Sequence, residues 1–478
     1  MVSRARWINV PLGRVARLCA AMLFVLLAHI TLIQAFGSHA LNADHRNERP
    51  LIARYGHPRG DIVTYDGTPI ATSRLTGTGP YRYRRVYPHG ELFAAVTGHV
   101  ALRHSTGIEQ AQDAVLSGDD AKVRVRSLVR EGTVDGADVR LTISDRAQWA
   151  AYEGLRATGV PGAAVALDPA TGAILALATY PTYDPNTLTT FDQARLGEAV
   201  RWLRRAPAQP LLNRALNRLY PPGSTFKVVT TAAALASGEY TPSALVDAPA
   251  RLRLPGTPTY LRGSCGGRRP TLMYAFQQSC DTAFATIGLQ LGRDLLRDQA
   301  EAFGFNGEGL RIPLTTTPSR YPPAMGRPQT ALAAIGHHDN LVTPLMVAML
   351  SAAVANNGVL MRPYLVEEVR VPDGSIINRA GPAPYRKAMS PELARYLAVM
   401  MTTVTQAGGA GAAIPGVRVA SQAAVSSAVP GAGDHALVTA FAPAEAPEVA
   451  VGVVLERPGE RADAVTAIAR TIMEAALS

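Results

Sequence analysis

Cysteine is scarce in this chain, at 3 residues in 478, and aromatic residues are few, at 6%. Cys19, Cys265 and Cys280 include no pair at metal-ligand spacing, so a zinc finger or ribbon is excluded and no metal or cofactor is expected. No RNA-binding signature and no basic helix accompanies the formal net charge of +10, from 47 Lys+Arg against 37 Asp+Glu. That surplus points to anionic envelope polymers and lipid headgroups, and no nucleic-acid partner is expected. Internal repeats and long low-complexity tracts are missing too. What remains is 47% hydrophobic and 18% charged, an ordinary globular balance. Its length allows two or three domains with a sizeable core.

One long apolar run is present, from Leu18 to Phe36, behind Arg4, Arg6, Arg14 and Arg17. It is about long enough to span a bilayer as a helix. Positive residues before it place residues 1–14 in the cytoplasm, residues 15–36 in the membrane and the bulk of the chain outside. Ser38-His39-Ala40 loosely fits a signal-peptidase site, so a cleaved export signal is the alternative. Asn42 to Arg49 reads as a juxtamembrane linker. Outside the cytoplasm, Cys265 and Cys280 are either a disulfide across a short loop or two small buried thiols.

Residues 37–137 form a small β-rich region. Asp66-Gly67 between short β-rich runs signals a hairpin. Arg82, Arg84 and Arg85, alternating with Tyr81, Tyr83 and Tyr87, read as a solvated strand face. A boundary falls near Gly136-Ala137-Asp138. Beyond it, Val139–Ile143 reads as a strand and Asp145–Leu155 as a helix. Ala163–Leu167 and Ala173–Tyr180 are apolar strands joined by a well-specified turn at Asp168-Pro169-Ala170-Thr171-Gly172. Val438–Phe441 and Val449–Leu455 are further strands. Val465, Ile468, Ala469, Ile472, Met473 and Ala476 lie on one face of a last helix. Strands at both ends with helices between predict an α/β (α+β) domain with a central antiparallel sheet, residues 138–478.

Chemistry concentrates in Tyr-Pro-Pro-Gly-Ser-Thr-Phe-Lys-Val-Val-Thr, Tyr220 to Thr230. A serine is a weak nucleophile until a base sits beside it, and residues three apart on a helix share a face. Ser224 and Lys227 can therefore meet; helix N-capping by Ser224 is the bland alternative. This run resembles the acylation motif of penicillin-binding proteins and serine β-lactamases. His57-Pro58-Arg59-Gly60-Asp61-Ile62 is similar to the start of the N-terminal region of class B penicillin-binding proteins, and Thr106-Gly107-Ile108-Glu109 to a further short element. Nearly the whole chain resembles that class, in its actinobacterial form. The resemblance implies a transpeptidase-type fold and a peptidoglycan D,D-transpeptidase ancestry. Ser224 would be the nucleophile, Lys227 its base and Ser279 a proton relay. Partners would be peptidoglycan stem peptides, β-lactams and envelope or divisome membrane proteins.

Two further motifs of that family depart from pattern. Ser-x-Asn reads Ser279-Cys280-Asp281. An Asn both donates and accepts, whereas an ionised Asp only accepts. Its charge beside Lys227 should hold the lysine protonated and spoil it as a base. Lys-Thr-Gly falls on Gln422-Ala423-Ala424, which removes a cation, a hydroxyl and a close backbone approach. Such losses cost about 1.5–3 kcal/mol per charge-assisted hydrogen bond, so acylation should be slowed by several orders of magnitude. The expectation is a membrane-anchored homologue of the cell-wall machinery that binds or scaffolds with impaired acyl transfer. A slow but genuine transpeptidase, aided by Arg418 or His435, is the alternative, and a β-lactam or muropeptide sensor a third reading. His337-His338 reads as loop or core.

Overall fold

A computed structural model describes residues 4–37, 48–77, 79–129, 135–263, 265–407, 410–426 and 434–478. The Ser38-His39-Ala40 site and most of the linker after it lie outside the described residues. Segments up to Gly56, with Thr76–Arg82, form one compact unit; His57–Leu75 with Tyr83–Ser478 form the second. In the first, helix α1 (Arg4–Leu32) continues into a short π-helical end. Within it, Gly13–Phe36 is the one stretch among the described residues that is long and apolar enough to cross a membrane.

Two sheets organise the second unit. They are built from β1 (Ile62–Val63), β2 (Pro69–Leu75), β3 (Tyr83–Val86), β4 (Asp138–Leu141), β5 (Gly162–Leu167), β6 (Ile174–Tyr180), β7 (Val366–Arg370), β8 (Ile376–Arg379), β9 (Ala420–Ser426), β10 (His435–Ala442) and β11 (Val449–Leu455). The first sheet runs β8-β7-β4-β1-β2-β3. β4 pairs in parallel with β1 and antiparallel with β7, so the strand that opens the expected second domain joins both regions. The hairpin predicted at Asp66-Gly67 joins β1 and β2.

Strand alternation decides the fate of the arginines on β3. Arg84 points to solvent, but Arg85 is buried, which corrects the expectation of a fully solvated face. Its Nε lies 2.5 Å from Oε1 of Glu109, a fully buried carboxylate. Arg59 Nε meets the other oxygen at 2.6 Å and its Nη1 reaches Asp113 at 2.8 Å. Burial alone would push Glu109 upward, but the two guanidiniums outweigh it and hold the carboxyl below its ordinary value. The two short sequence elements around Arg59 and Glu109 are thus halves of one internal ion cluster.

The second sheet is antiparallel throughout, ordered β9-β10-β11-β5-β6, as the sequence predicts. β5 and β11 are buried along their whole length, because helices cover both faces. The helices that matter are α2 (Asp145–Thr158), α3 (Lys227–Ala236), α4 (Leu272–Gln277), α5 (Asp281–Ala302), α6 (Pro344–Ala355), α7 (Pro391–Ala407) and α8 (Ala464–Leu477). α2 and α8 pack together over one face. On the other lies α6, apolar all round and buried from Pro344 to Val354. Thr343 caps it, and Thr439 on β10 donates to its Val347 carbonyl at 2.6 Å. β9 is left as the sheet's edge, beside the turn that carries Ser224.

Candidate active site

Tyr220 holds the approach to Ser224 in place. Its backbone exchanges two 2.8 Å hydrogen bonds with Val342, and its hydroxyl donates to Glu456 Oε1 at 2.8 Å. Gly223 has φ +50° and its N–H donates to the Gly336 carbonyl at 3.1 Å. A Cβ on Gly336 would overlap the Gly223 carbonyl, so both positions require glycine. Gly223–Phe226 is a 3-10 turn, and the α-helix starts only at Lys227. Side chains three apart eclipse in a 3-10 turn, which brings Lys227 Nζ to 2.9 Å from Ser224 Oγ. The side chain of Ser224 makes no capping bond.

Lys227, one of three lysines in the chain, is fully buried. Its Nζ donates to the Ser279 carbonyl at 2.6 Å, to Ser279 Oγ at 2.9 Å and to Asp281 Oδ1 at 2.6 Å. Ser279 ends α4 in the left-handed region, φ +50°, a conformation that costs a serine about 1–3 kcal/mol and aims both its oxygens at the lysine. Cys280, between Ser279 and Asp281, is disulfide-bonded to Cys265 across a sequence separation of 15, with Cα atoms 5.6 Å apart. Of the two readings open for these cysteines, the structure has the bridge.

Burial pushes the Lys227 ammonium below its ordinary value, and Asp281, raising it, only partly offsets this. Burial thus works against the expected effect of Asp281, which is to hold Lys227 protonated. The hydrogen-bond count says what is left. The Ser279 carbonyl and the Asp281 carboxylate only accept, so they use two N–H groups of the lysine. A neutral amine then keeps one lone pair, which Ser224 at 2.9 Å could use for its proton.

The β9 wall differs in kind. Gln422, Ala424 and Ser426 alternate onto one face, paired with Thr439, Leu437 and His435 of β10. That face abuts the Ser224 turn: a Cβ on Gly223 would stand 3.2 Å from the Ala424 Cβ and 2.6 Å from the Ser426 Cβ. Gln422 Nε2 reaches Ser279 Oγ at 3.4 Å. Ala423 lies on the opposite face, half-buried. Ser224, Lys227, Ser279, Asp281 and Gln422 thus form one contact chain, with Ala424 beside it. Of the suggested compensating groups, Arg418 pairs with exposed Glu445, and His435 packs edge-on against Tyr220 at 5.3 Å. Sequence reasoning missed the strap after Gly336. His337, assigned to loop or core, follows the glycine that touches Gly223, and burial lowers its imidazole. His338 and Asp339 after it both have positive φ, a strain no sequence pattern showed.

Comparison with known proteins agrees with this geometry. Residues 162–474 match the penicillin binding protein transpeptidase domain, and residues 59–139 the penicillin binding protein A dimerisation domain. The chain belongs to the penicillin-binding protein transpeptidase family. It is 40% identical over 472 residues to peptidoglycan D,D-transpeptidase PbpA of Mycolicibacterium smegmatis, covering 95% of each chain. Against the protein of that name from Mycobacterium tuberculosis it is 39% identical over 491 residues, covering 98% of this chain and 99% of that one. The structure of penicillin-binding protein A from M. tuberculosis as its ceftriaxone acyl-enzyme complex superposes with a TM-score of 0.86 at 37% identity, covering 89% of this chain and all of that one. A penicillin G acyl-enzyme complex of the same protein gives 0.84.

Proposed function

We propose that this chain is an envelope protein of the cell-wall synthesis machinery, anchored once by α1 with its bulk outside the cytoplasm. It binds peptidoglycan stem peptides and envelope or divisome membrane proteins, and its acyl transfer at Ser224 is impaired. In this reading Ser224 is the nucleophile position, Lys227 its base and Ser279 the relay, while Asp281, Gln422, Ala423 and Ala424 are the altered grip. One observation carries it: the strand face against the Ser224 turn presents Gln422 and Ala424. A carboxylate-ended substrate would find no cation there, and no hydroxyl at position 422 or 424.

The second reading, a slow but genuine transpeptidase acylated by β-lactams, rests on a different observation. Ser224 Oγ and Lys227 Nζ are 2.9 Å apart, and burial lowers the lysine toward a usable base. Incubating the purified outer region with a labelled penicillin and weighing the intact protein separates the two. The first reading predicts little or no adduct over hours. Rapid stoichiometric mass gain, absent from Ser224→Ala, would establish the second.

A further inference from the structure

The altered wall has a chemistry of its own. Gln422 is 1% exposed and Ser426 2% exposed, yet Gln422 Oε1 and Ser426 Oγ have no hydrogen-bond partner among the described residues. His435, directly across the ladder from Ser426, leaves its Nδ1 unpartnered as well. The Gln422 amide has one hydrogen-bond partner among the described residues, Ser279 Oγ, so one of its two polar atoms stays unpaired. A buried polar atom without a partner costs about 1–3 kcal/mol, and two of them within five residues of one strand mark a place where a ligand completes the bonding.

Charge restricts what that ligand can be. Among the described residues the one basic side chain bonded into the Ser224 cluster is Lys227, already paired with Asp281 Oδ1 at 2.6 Å. The two groups offset each other, so the pair leaves no spare positive charge for a carboxylate. Gln422, Ala424 and Ser426 add only neutral groups. β9 is also the edge of its sheet, with one side of its backbone free of strand partners.

We infer that the edge of β9 beside the Ser224 turn binds an extended peptide whose terminus there is neutral, a carboxamide, in place of a free carboxylate. The amide N–H₂ and C=O match Gln422 and Ser426, and the peptide backbone pairs along the edge of β9. This inference rests on the impaired-site reading and names its ligand class.

The test uses two peptides of identical sequence ending in D-Ala-D-Ala, one as the free acid and one as the carboxamide. Their affinities for the full outer region are measured by calorimetry or NMR titration, alongside Gln422→Lys/Ala423→Thr/Ala424→Gly. Wild type is expected to bind the carboxamide at least about tenfold tighter than the acid, the gap being that of one lost or repelled charged contact. The triple variant is expected to narrow or reverse the preference. Equal or tighter binding of the acid by wild type overturns the inference. Binding of neither at millimolar concentration overturns it too, while leaving the impaired acyl transfer to be judged separately by the penicillin mass shift. Circular dichroism of the variant guards against loss of fold.

Discussion

Two buried carboxylate–cation contacts can be set side by side. In the β-rich region Glu109 lies wholly inside, gripped by Arg59 and Arg85. In the cleft Asp281 is two-fifths exposed and touches a single lysine, which Ser224 and Ser279 also claim. Both pairs are short, but their surroundings give them different work. Glu109, with Asp113, balances two guanidiniums and ties Arg59, Arg85 and its own helical turn into one unit. Asp281 adjusts the protonation of a base already lowered by burial. A carboxylate at the first place is architecture, and at the second it tunes a lysine that the proposed function makes the base.

Breaking the first pair should have the largest effect on stability. Glu109→Ala leaves buried Arg85 without a carboxylate and Arg59 with Asp113 alone, and is expected to cost about 3–5 kcal/mol, read as a lower denaturant midpoint. Next is the bridge through Cys280. Replacing Cys265 and Cys280 by Ser reopens a loop of about 15 residues and should cost about 3 kcal/mol in the same assay. Asp281→Asn is the converse of Glu109→Ala. It should change stability by about 1 kcal/mol or less, because the carboxylate is part-exposed.

The same substitution should move the pH dependence of any residual acylation. Asp281 raises Lys227, so its removal lowers the lysine further, and the rising limb of rate against pH shifts to lower pH. A limb that stays put, measured by stopped-flow with a chromogenic β-lactam, would show that Asp281 does not govern the lysine. For Glu109 the sign is opposite. Its carboxyl is held below the ordinary value in the fold, so its contribution is complete above that ordinary value. The contribution declines as pH falls through the folded value, so Glu109→Gln should flatten the acid limb of the stability profile.

Much of this was legible in the chain. Apolar runs at both ends of the domain foretold the antiparallel sheet, because fully buried strands need no polar face. The Gly223 to Lys227 spacing foretold a contact at the nucleophile, and counting on from Val419 placed Gln422 beside Ser279. What was hidden depended on neighbours distant in sequence. Nothing near Arg85 announced Glu109, and the tyrosines around it suggested a solvated face. Burial of Lys227 comes from α5, α3 and Ser279 together, so its outweighing of Asp281 could not be read from a three-residue motif. The segment carrying His337 meets the Ser224 turn through Gly336, where the absence of a Cβ lets two loops touch.

The most direct test of the central claim is the acylation rate of Asp281→Asn/Gln422→Lys/Ala423→Thr/Ala424→Gly against wild type with one penicillin. If those four positions impair the site, the variant should acylate at Ser224 at least about a hundredfold faster, the equivalent of two restored charge-assisted contacts. Wild type acylating as fast as the variant would contradict the account.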